Sequence, residues 1–249
     1  KLPYELKVGN LKVWILPGDN WNTTGLVIKD ASKYFEVLKK KALPDNVQFA
    51  MLATRFRGNV DPFFAMNAAN ASQAGLRLGA YIYSYATSVE MAQQEADFVL
   101  NLIKDYPISF PVVFDAEDAN TLGTLTPSQV SDVINAFCKR IQDAGYYPMV
   151  YANEYWIANK IDMSKISYDI WVAKYQQKYT YSKTSMWQAS NTGSVKGVNG
   201  NVDIDYLYKD YTQIIPGNTW RTIAGNRYYY QNHVMQKSAW INDGQNWYY

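Results

Sequence analysis

Histidine and cysteine are nearly absent from this chain. The 249 residues include one cysteine, Cys138, and one histidine, His233. Zinc sites of the usual Cys and His kind need several such ligands, and Ser-His-Asp catalysis needs a histidine among its partners, so both classes are excluded. Carboxylates remain for acid–base chemistry, and we expect no metal and no cofactor. Apolar residues recur at helical spacing over residues 128–144, which predicts that Cys138 is a buried structural thiol.

The chain also lacks any block of like charge and any long apolar run. It has 24 Lys and Arg and 22 Asp and Glu, a formal net charge of +2, and its longest basic run is the three lysines at 39–41. This balance argues against nucleic acid as the main partner. No apolar stretch approaches the ~20 residues of a membrane span, so we expect a soluble chain without a membrane partner. With 48% hydrophobic residues, it can bury a large core as one α/β barrel or as two smaller domains.

The most informative stretch is residues 110–120. It predicts a short buried strand at 111–114 that runs directly into two carboxylates, Asp115 and Glu117. Side chains alternate along a strand, so these two point the same way, with Cα atoms roughly 6.5 to 7 Å apart. The alternative is a solvated strand end that caps the next loop. The pair is nevertheless a candidate for general acid–base chemistry.

Strand and helix patterns alternate along the chain. Two apolar runs, 11–16 and 26–28, could each be the first strand, and a short helix is predicted after them at 34–41. The later predicted strands cover residues 47–54, 78–85, 111–114, 149–152, 169–174, 185–189 and 202–207. Helices are predicted at about 62–74, from a capping box at Thr87-Ser88-Val89-Glu90 to 104, and from Thr126-Pro127-Ser128-Gln129 onward. This order predicts an α/β fold, an irregular TIM-like barrel of five β/α units plus three β-strands.

In such a barrel the chemistry lies at the mouth, where the strands end. Every predicted strand end supplies polar or aromatic side chains. In chain order they are Asp19 or Asp30, Arg55, Tyr81, Tyr83, Tyr85, Asp115, Glu117, Tyr151, Asn153, Trp171, Trp187, Gln188 and Asp203. Any single aromatic residue among them is more often packing than ligand. Four carboxylates among aromatic rings are different, since aromatic walls suit sugar rings and paired acids suit glycosidic bonds.

Six short stretches are specific as a set. They are Asp61-Pro62-Phe63-Phe64, Ala74-Gly75-Leu76-Arg77-Leu78-Gly79-Ala80-Tyr81, Phe114-Asp115-Ala116-Glu117, Trp171-Val172-Ala173-Lys174-Tyr175, Trp187-Gln188 and Gly200-Asn201-Val202-Asp203. In this order and spacing they resemble glycoside hydrolase family 25. The resemblance implies an irregular barrel and a lysozyme activity, which cleaves the β-1,4 bond between N-acetylmuramic acid and N-acetylglucosamine in peptidoglycan. It also implies a location outside the cell, at the cell wall, or release from a phage-infected cell at lysis.

The resemblance further implies roles for the acids. Glu117 is similar to the family's general acid, Asp115 to its partner on the same strand, and Asp203 to the carboxylate of the closing strand. The family's first-strand Asp stands in Asp-Val-Ser-x-x-Gln-Gly, which this chain lacks. Asp19 fits the spacing of that motif, Asp30 keeps only its Asp-x-Ser, and loss of this acid is a third alternative. The candidate substrate-binding residues are Arg55, Tyr81, Tyr83, Tyr151, Asn153, Trp171, Trp187 and Gln188.

A muramidase acting on peptidoglycan is the leading hypothesis. The altered first-strand motif keeps a second one open, a glycan-binding protein on the same barrel that has lost turnover, and a chitinase-like activity is a third. Asp115 and Glu117 share an approach direction, which favours Glu117 as acid while Asp115 orients the substrate's own N-acetyl group as nucleophile. The competing route uses Asp203, or the first-strand Asp, as nucleophile or as a base for water.

The composition changes after Asp210. Trp220 and Tyr228-Tyr229-Tyr230 recur about 20 residues later as Trp240 and Trp247-Tyr248-Tyr249, and aromatic residues repeating around turns predict a hairpin repeat. This pattern resembles the choline-binding and glucan-binding repeats of Gram-positive surface proteins and their phages. The resemblance implies choline or wall polysaccharide as a ligand, and the alternative is that the aromatic residues only pack the hairpins together. The candidate wall-binding residues are Trp220, Tyr228, Trp240 and Trp247.

The predicted organisation has three parts. Residues 1–10 are an N-terminal extension without an assigned role, residues 11–212 form the family 25 barrel, and residues 213–249 form the aromatic hairpin repeats. The chain begins at Lys1 without Met and without a signal-peptide pattern, which suggests a mature or excised fragment. Barely two repeats are present, so we expect a longer array in the native protein.

Overall fold

A computed structural model describes residues 12–16, 47–56, 58–175, 179–193 and 201–249. Five predicted features lie outside these ranges: the extension at 1–10, the apolar run at 26–28, the helix at 34–41, and the candidate acids Asp19 and Asp30. Within the ranges, no helix combines the length and apolar character needed to cross a membrane.

Strands dominate the described part of the chain up to residue 207. The first ten are β1 (Lys12–Leu16), β2 (Val47–Ala53), β3 (Arg55–Phe56), β4 (Asn59–Val60), β5 (Arg77–Tyr83), β6 (Ile108–Asp115), β7 (Pro148–Asn153), β8 (Asp169–Ala173), β9 (Thr184–Gly193) and β10 (Val202–Leu207). All except β3 and β4, which form a small hairpin of their own, belong to a closed barrel in the order β1-β10-β9-β8-β7-β6-β5-β2. The predicted α/β barrel is confirmed.

Strand direction defines the two ends of the barrel. Neighbouring strands run parallel, except that β10 is antiparallel to both β1 and β9. The mouth is therefore made of the carboxyl ends of seven strands and the amino end of β10. Of the two apolar runs that could have been the first strand, Lys12–Leu16 is a barrel strand.

The pairing of β5 with β6 is irregular. The register shifts at Gly79, beside Pro111, which has no N–H to give to the ladder. A Cβ on Gly79 would collide with Sδ of Met51 and lie 2.9 Å from the carbonyl oxygen of Pro111.

Strand β6 starts at Ile108, three residues before the predicted start at 111. The sequence did not show this start, because all residues of the strand are buried and no alternation marks its beginning.

Within the described ranges, four α-helices cover the barrel: α1 (Phe64–Gln73), α2 (Val89–Ile103), α3 (Pro127–Asp143) and α4 (Glu154–Asn159). The start predicted for α3 is confirmed, since Thr126 is its N-cap and Pro127 its first residue. The side chains and backbone N–H groups of Thr126 and Gln129 also bond reciprocally, which is a capping box. The box predicted from Thr87 is wrong. Ser88 is the N-cap of α2, and its hydroxyl accepts from the N–H of Met91 at 3.2 Å. Adjacent Thr and Ser are both good caps, so the sequence leaves this boundary uncertain by one residue.

Apolar side chains form two layers that follow the alternation along the strands. The outer layer lies between strands and helices and contains Leu78, Phe114 and Phe137. The inner layer fills the barrel and contains Met51 and Trp171. Cys138 is fully buried in the outer layer, and burial raises the pKa of its thiol, so the prediction of a buried structural thiol is confirmed.

Hairpins follow the barrel in the region where the aromatic repeat was predicted. Strands β11 (Thr219–Ile223), β12 (Asn226–Gln231) and β13 (Val234–Met235) form one sheet, and β14 (Ile241–Asn242) pairs with β15 (Trp247–Tyr248). Ala224 and Gly225 turn the chain between β11 and β12 with φ of 50° and 79°, the positive values that a tight hairpin needs.

The β11–β12 hairpin packs on the base of the barrel, opposite the mouth. Arg221 is only 1% exposed, with its guanidinium carbon 4.0 Å and 4.2 Å from the ring centroids of Tyr146 and Tyr230. Its Nη2 donates to the carbonyl oxygen of Ile108, at the start of β6. Ile223 joins the outer apolar layer. The hairpin therefore shares its core with the barrel, and the boundary at 212/213 stays a prediction.

Candidate active site

Two carboxylates stand where β6 reaches the mouth. Asp115 is the last residue of the strand and is 8% exposed, and Glu117 follows two residues later. Ala116 between them is buried in the outer layer, so the alternation that predicted the pair extends past the end of the strand. Burial is the main cause that raises the pKa of each carboxyl group, and the charge of Glu117 raises the pKa of Asp115 further.

The two acids have different partners. The backbone N–H of Asn153 donates to Oε1 of Glu117 at 2.8 Å, and the Asn153 side chain gives a second bond that also lowers the pKa of Glu117. The buried Oδ1 of Asp115 has no hydrogen-bond partner among the residues that the structure describes. Because donors stabilise the charged form, a proton shared by the pair rests on Asp115.

Asp203 reaches the mouth from the opposite direction. It lies near the amino end of β10, where it pairs with Ile15 of β1. Burial raises the pKa of its carboxyl group to about 6. Tyr81 of β5 connects it to the other acids: after burial, the charges of Asp115 and Asp203 are the two largest causes that raise the pKa of this phenol. Asp115 and Asp203 therefore act on one tyrosine inside a common site, and the charges of Glu117, Asp115 and Asp203 all raise the pKa of Tyr151 of β7.

A second aromatic group forms the side of the mouth near β7, β8 and β9. The hydroxyl groups of Tyr151 and Tyr175 both donate to Oε1 of Gln188, each at 2.7 Å. Burial and then the charge of Glu117 raise the pKa of Tyr151, while burial and then the charge of Asp203 raise that of Tyr175. Tyr175 is 41% exposed and was not among the predicted site residues. The signal was there, because it continues the alternation of inward positions at Trp171 and 173 beyond the end of β8.

Tyr83 and Tyr85 form the side of the mouth next to β6. Their rings lie 5.2 Å apart, edge to face. The Tyr83 hydroxyl donates to Oδ2 of Asp118 at 3.2 Å. Asp118 is 8% exposed, and its Oδ1 accepts from the backbone N–H and the hydroxyl of Thr121. Asp118 was also missed. Its residue type in a turn is too common to be a signal, since an aspartate that binds nearby N–H groups is ordinary loop chemistry.

Arg55 is engaged inside the protein. Its Nη2 donates to Oε1 of Glu95 at 2.6 Å and to the carbonyl oxygen of Tyr83 at 2.7 Å, and its guanidinium lies 4.9 Å from the ring centroid of Tyr85. Glu95 is 7% exposed and also accepts from Ser84 and from the backbone of Tyr85. Through these contacts Arg55 holds Tyr83 and Tyr85 in place at the mouth.

The two predicted tryptophans lie apart from the exposed surface of the mouth. Trp171 and Trp187 are each 2% exposed. Trp171 points into the barrel and donates its indole N–H to Asp205 at 2.8 Å. Trp187 donates to the carbonyl oxygen of Lys174 and stacks on Tyr206, 5.4 Å between centroids. Alternation along β9 turns Trp187 outward where it turns Gln188 inward, so the structure does not bring this indole to the other site residues.

The predicted wall-binding residues fall into two groups. Trp220 and Tyr228 are half-buried: Tyr228 packs on the outer apolar layer, and Trp220 lies 4.9 Å from Tyr248 of the second hairpin. Trp240 and Trp247 are 66% and 64% exposed. Within the described ranges, no cluster of three or more His, Cys, Asp or Glu side chains could hold a metal ion.

Comparison with known proteins identifies a family. The sequence model of the family described as glycosyl hydrolases family 25 matches residues 33–198, a range that includes Asp115 and Glu117 and stops short of Asp203. The uncharacterized protein YegX of Escherichia coli K12 is 29% identical over 164 residues, which are 64% of this chain and 58% of YegX. The chain thus spans less than two thirds of the length of this curated relative.

Solved structures match the fold at low sequence identity. The CTP1L endolysin superposes with a TM-score of 0.62 at 24% identity, covering 82% of this chain and 69% of the endolysin. The autolysin LytC of Streptococcus pneumoniae, solved with a synthetic peptidoglycan ligand, superposes with a TM-score of 0.61 at 21% identity, covering 78% of this chain and 46% of LytC. These likenesses concern the barrel.

Proposed function

This chain belongs to glycosyl hydrolases family 25, and from that premise we propose that it is a muramidase. The proposed reaction is hydrolysis of the β-1,4 bond between N-acetylmuramic acid and N-acetylglucosamine in peptidoglycan. The observation that carries it is the pair of carboxylates at the mouth, the buried Asp115 and the half-buried Glu117, with Asp203 opposite and tyrosines around them. The barrel likeness to an autolysin solved with a peptidoglycan ligand supports the choice of substrate.

Glu117 is the proposed general acid. In the free protein the pair's proton rests on Asp115, since Asn153 donates to Glu117 and no described residue donates to Oδ1 of Asp115. The acetamido N–H of a bound sugar, donated to this oxygen, stabilises the anion of Asp115. The proton then moves to Glu117, where it is available to the glycosidic oxygen. Substrate binding therefore converts Glu117 to its protonated form, which can act as the general acid.

The proposed chemistry uses the substrate's own acetamido group. Its carbonyl oxygen attacks the anomeric carbon while the bond to the departing sugar oxygen breaks and Glu117 gives its proton to that oxygen. The product is a cyclic oxazolinium ion that keeps its N–H. Water, deprotonated by Glu117, then opens this ring at the anomeric carbon and restores both the acetamide and the acid. Asp115 orients the acetamide, and the anion of Asp203 stabilises the positive charge that develops on the sugar.

The proposal is tested on purified Gram-positive cell walls. We expect the wild type to reduce the turbidity of the walls and to release new reducing ends. We expect Glu117→Gln to do neither. Binding to walls without new reducing ends would instead favour the alternative, a glycan-binding protein without turnover. Chitin supplied in parallel separates the chitinase-like activity, which the muramidase proposal does not predict.

The C-terminal hairpins are proposed to attach the protein to the wall, outside the cell or after lysis. The exposed rings of Trp240, Trp247 and Tyr249 suit stacking on sugar rings. Arg227 places its guanidinium 4.4 Å from the ring centroid of Trp220 and 5.7 Å from that of Tyr248. Choline would have to displace this internal cation from those rings, which favours wall polysaccharide as the ligand. Retention of Trp240→Ala and Trp247→Ala variants on walls, measured with and without choline, tests both points.

A further inference from the structure

A buried acid that the proposed mechanism does not use lies beneath Asp203. Asp205 follows it by two positions on β10, so its side chain is on the same face, one strand repeat deeper in the barrel. Its neighbour across the ladder is Gln188 of β9, the residue that receives both tyrosine hydroxyl groups of the mouth. Asp205 is 0% exposed.

The surroundings of Asp205 disfavour a negative charge. Oδ1 accepts a bond from the indole N–H of Trp171 at 2.8 Å, and the buried Oδ2 has no hydrogen-bond partner in the part of the chain that the structure describes. Over the described residues, no Lys, Arg or His lies within ion-pair distance of this carboxyl group. One neutral donor compensates a buried anion poorly. Burial, followed by the charge of Asp203, raises the pKa of Asp205 well above its usual value.

The groups that face Asp203 and Asp205 from the other strands are all acids or neutral side chains. They are Tyr81 of β5, Asp115 and Glu117 from β6, Tyr151 of β7, Trp171 of β8, Tyr175 after β8 and Gln188 of β9. On β1 the residues in register are Val13 and Ile15, which are apolar by type. With no described cation to offset a second negative charge, the two aspartates of β10 can hold only one charge at low cost.

We propose that Asp205 is a positioning residue that remains protonated beneath Asp203, holds the ring of Trp171, and leaves the negative charge of the two aspartates on Asp203 at the mouth. Trp171 transmits this position, because its ring meets that of Tyr151 edge to face at 4.7 Å and Tyr151 is bound to Gln188. The role of the Asp203 charge rests on the proposed muramidase function. The protonation of Asp205 and its contact with Trp171 do not depend on that function.

Carbon-13 NMR of protein labelled at the aspartate carboxyl carbon tests protonation without any activity measurement. The resonances of Asp203 and Asp205 are identified by their loss in Asp203→Asn and Asp205→Asn. We expect the Asp205 resonance to stay at the shift of a protonated carboxyl group from pH 5 to 7.5, while that of Asp203 titrates near 6. A carboxylate shift for Asp205 at pH 7 overturns the proposal.

Kinetics on soluble peptidoglycan fragments test positioning. Asp205→Leu leaves the indole N–H of Trp171 without an acceptor, so kcat is expected to fall roughly tenfold, with little change in KM. Trp171→Phe removes that donor, and the double variant Trp171→Phe/Asp205→Leu is expected to be no slower than Trp171→Phe alone. Additive losses in this cycle, or an unchanged kcat in Asp205→Leu, overturn the positioning role. If the wild type cleaves no fragments, the proposed function fails while the NMR result still decides the state of Asp205.

Discussion

Asn153 binds Glu117 through its backbone N–H, at 2.8 Å, while its own side-chain oxygen caps helix α4 by accepting from the N–H of Trp156 at 3.1 Å. The end of β7, the start of α4 and the proposed acid are therefore tied together at one residue. Asn153 was predicted to contact substrate, and in the structure its described contacts go to Glu117 and to the helix. This explains how a carboxyl group beyond the end of β6 keeps a defined position.

Glu117→Gln should abolish most hydrolysis without disturbing the fold. A glutamine oxygen can still accept from Asn153, so we expect an unfolding temperature close to that of the wild type. Loss of a proton-transfer group lowers kcat by about 10² to 10⁴-fold. Release of reducing ends from soluble fragments measures this loss, and activity within tenfold of the wild type would show that another residue is the acid.

Asp203→Asn should stabilise the protein at neutral pH. Burial raises the pKa of Asp203 from 3.8 to about 6, so the folded state keeps a proton that the unfolded chain releases. Stability therefore falls as pH rises between these two values and stays low above them. The variant removes this penalty, which we expect to be on the order of 1 to 3 kcal/mol above pH 6 and absent below pH 3.8.

Urea unfolding at pH 4 and pH 7.5 measures this difference. Asp210→Asn is the matched control, because hydrogen bonds from Thr212 lower the pKa of this exposed carboxyl group and its loss cannot stabilise the protein at neutral pH. An equal change in stability at both pH values for Asp203→Asn would contradict the linkage to Asp203.

The strand-to-acid stretch at Asp115 and Glu117 was predictable because alternation, burial and charge coincide there in one short segment. The barrel followed from strand-helix order in the same way. Trp187 lies apart from the other predicted site residues, because one residue of offset along a strand reverses the face that a side chain presents and its neighbour Gln188 has the inward position. Asp118 carries no local signal strong enough, since its place depends on a contact with Tyr83 from another strand. Tyr175 could have been found, because it continues the inward positions of β8 past the end of the strand.

Arg221→Ala should destabilise the protein more than Arg221→Met. The alanine leaves a cavity between the rings of Tyr146 and Tyr230, for which we expect a loss of about 2 to 4 kcal/mol. Both variants lose the bond from Nη2 to the carbonyl oxygen of Ile108, but methionine fills most of the space that alanine leaves empty, so its cost should be smaller. Thermal unfolding of both variants measures the difference.

Two truncations test how far the barrel depends on the hairpins. Removal of 213–249 takes away Arg221 and Ile223 from the shared core and should lower stability strongly. Removal of 239–249 leaves the first hairpin in place and should preserve cleavage of soluble fragments while weakening attachment to whole walls. If removal of 213–249 leaves the unfolding temperature unchanged, the packing of the first hairpin contributes nothing to the barrel.

Tyr175→Phe should affect the reaction and Trp187→Phe should not. The first change removes one of the two hydroxyl groups held by Gln188 at the mouth, and loss of one such bond is worth about 1 kcal/mol, or roughly fivefold in kcat/KM. Trp187 faces away from the site, so its replacement should lower thermal stability and leave KM unchanged. A raised KM in Trp187→Phe would show that this indole contributes to substrate binding.

The last prediction concerns the configuration at the anomeric carbon. In the proposed reaction the acetamide oxygen attacks from one face and water later enters from the same face that the leaving group left, so two inversions give net retention. Asp115 supports this route because its unpartnered Oδ1 is buried beside Glu117, where it can accept the acetamido N–H but shares the approach direction of the acid. Proton NMR of the first product formed should therefore show the β anomer before mutarotation. Mass spectrometry of enzyme quenched during turnover should show no sugar attached to Asp115 or Asp203. An α anomer at early times would indicate direct attack by water with a carboxylate as base, and a sugar adduct on Asp203 would identify that residue as the nucleophile.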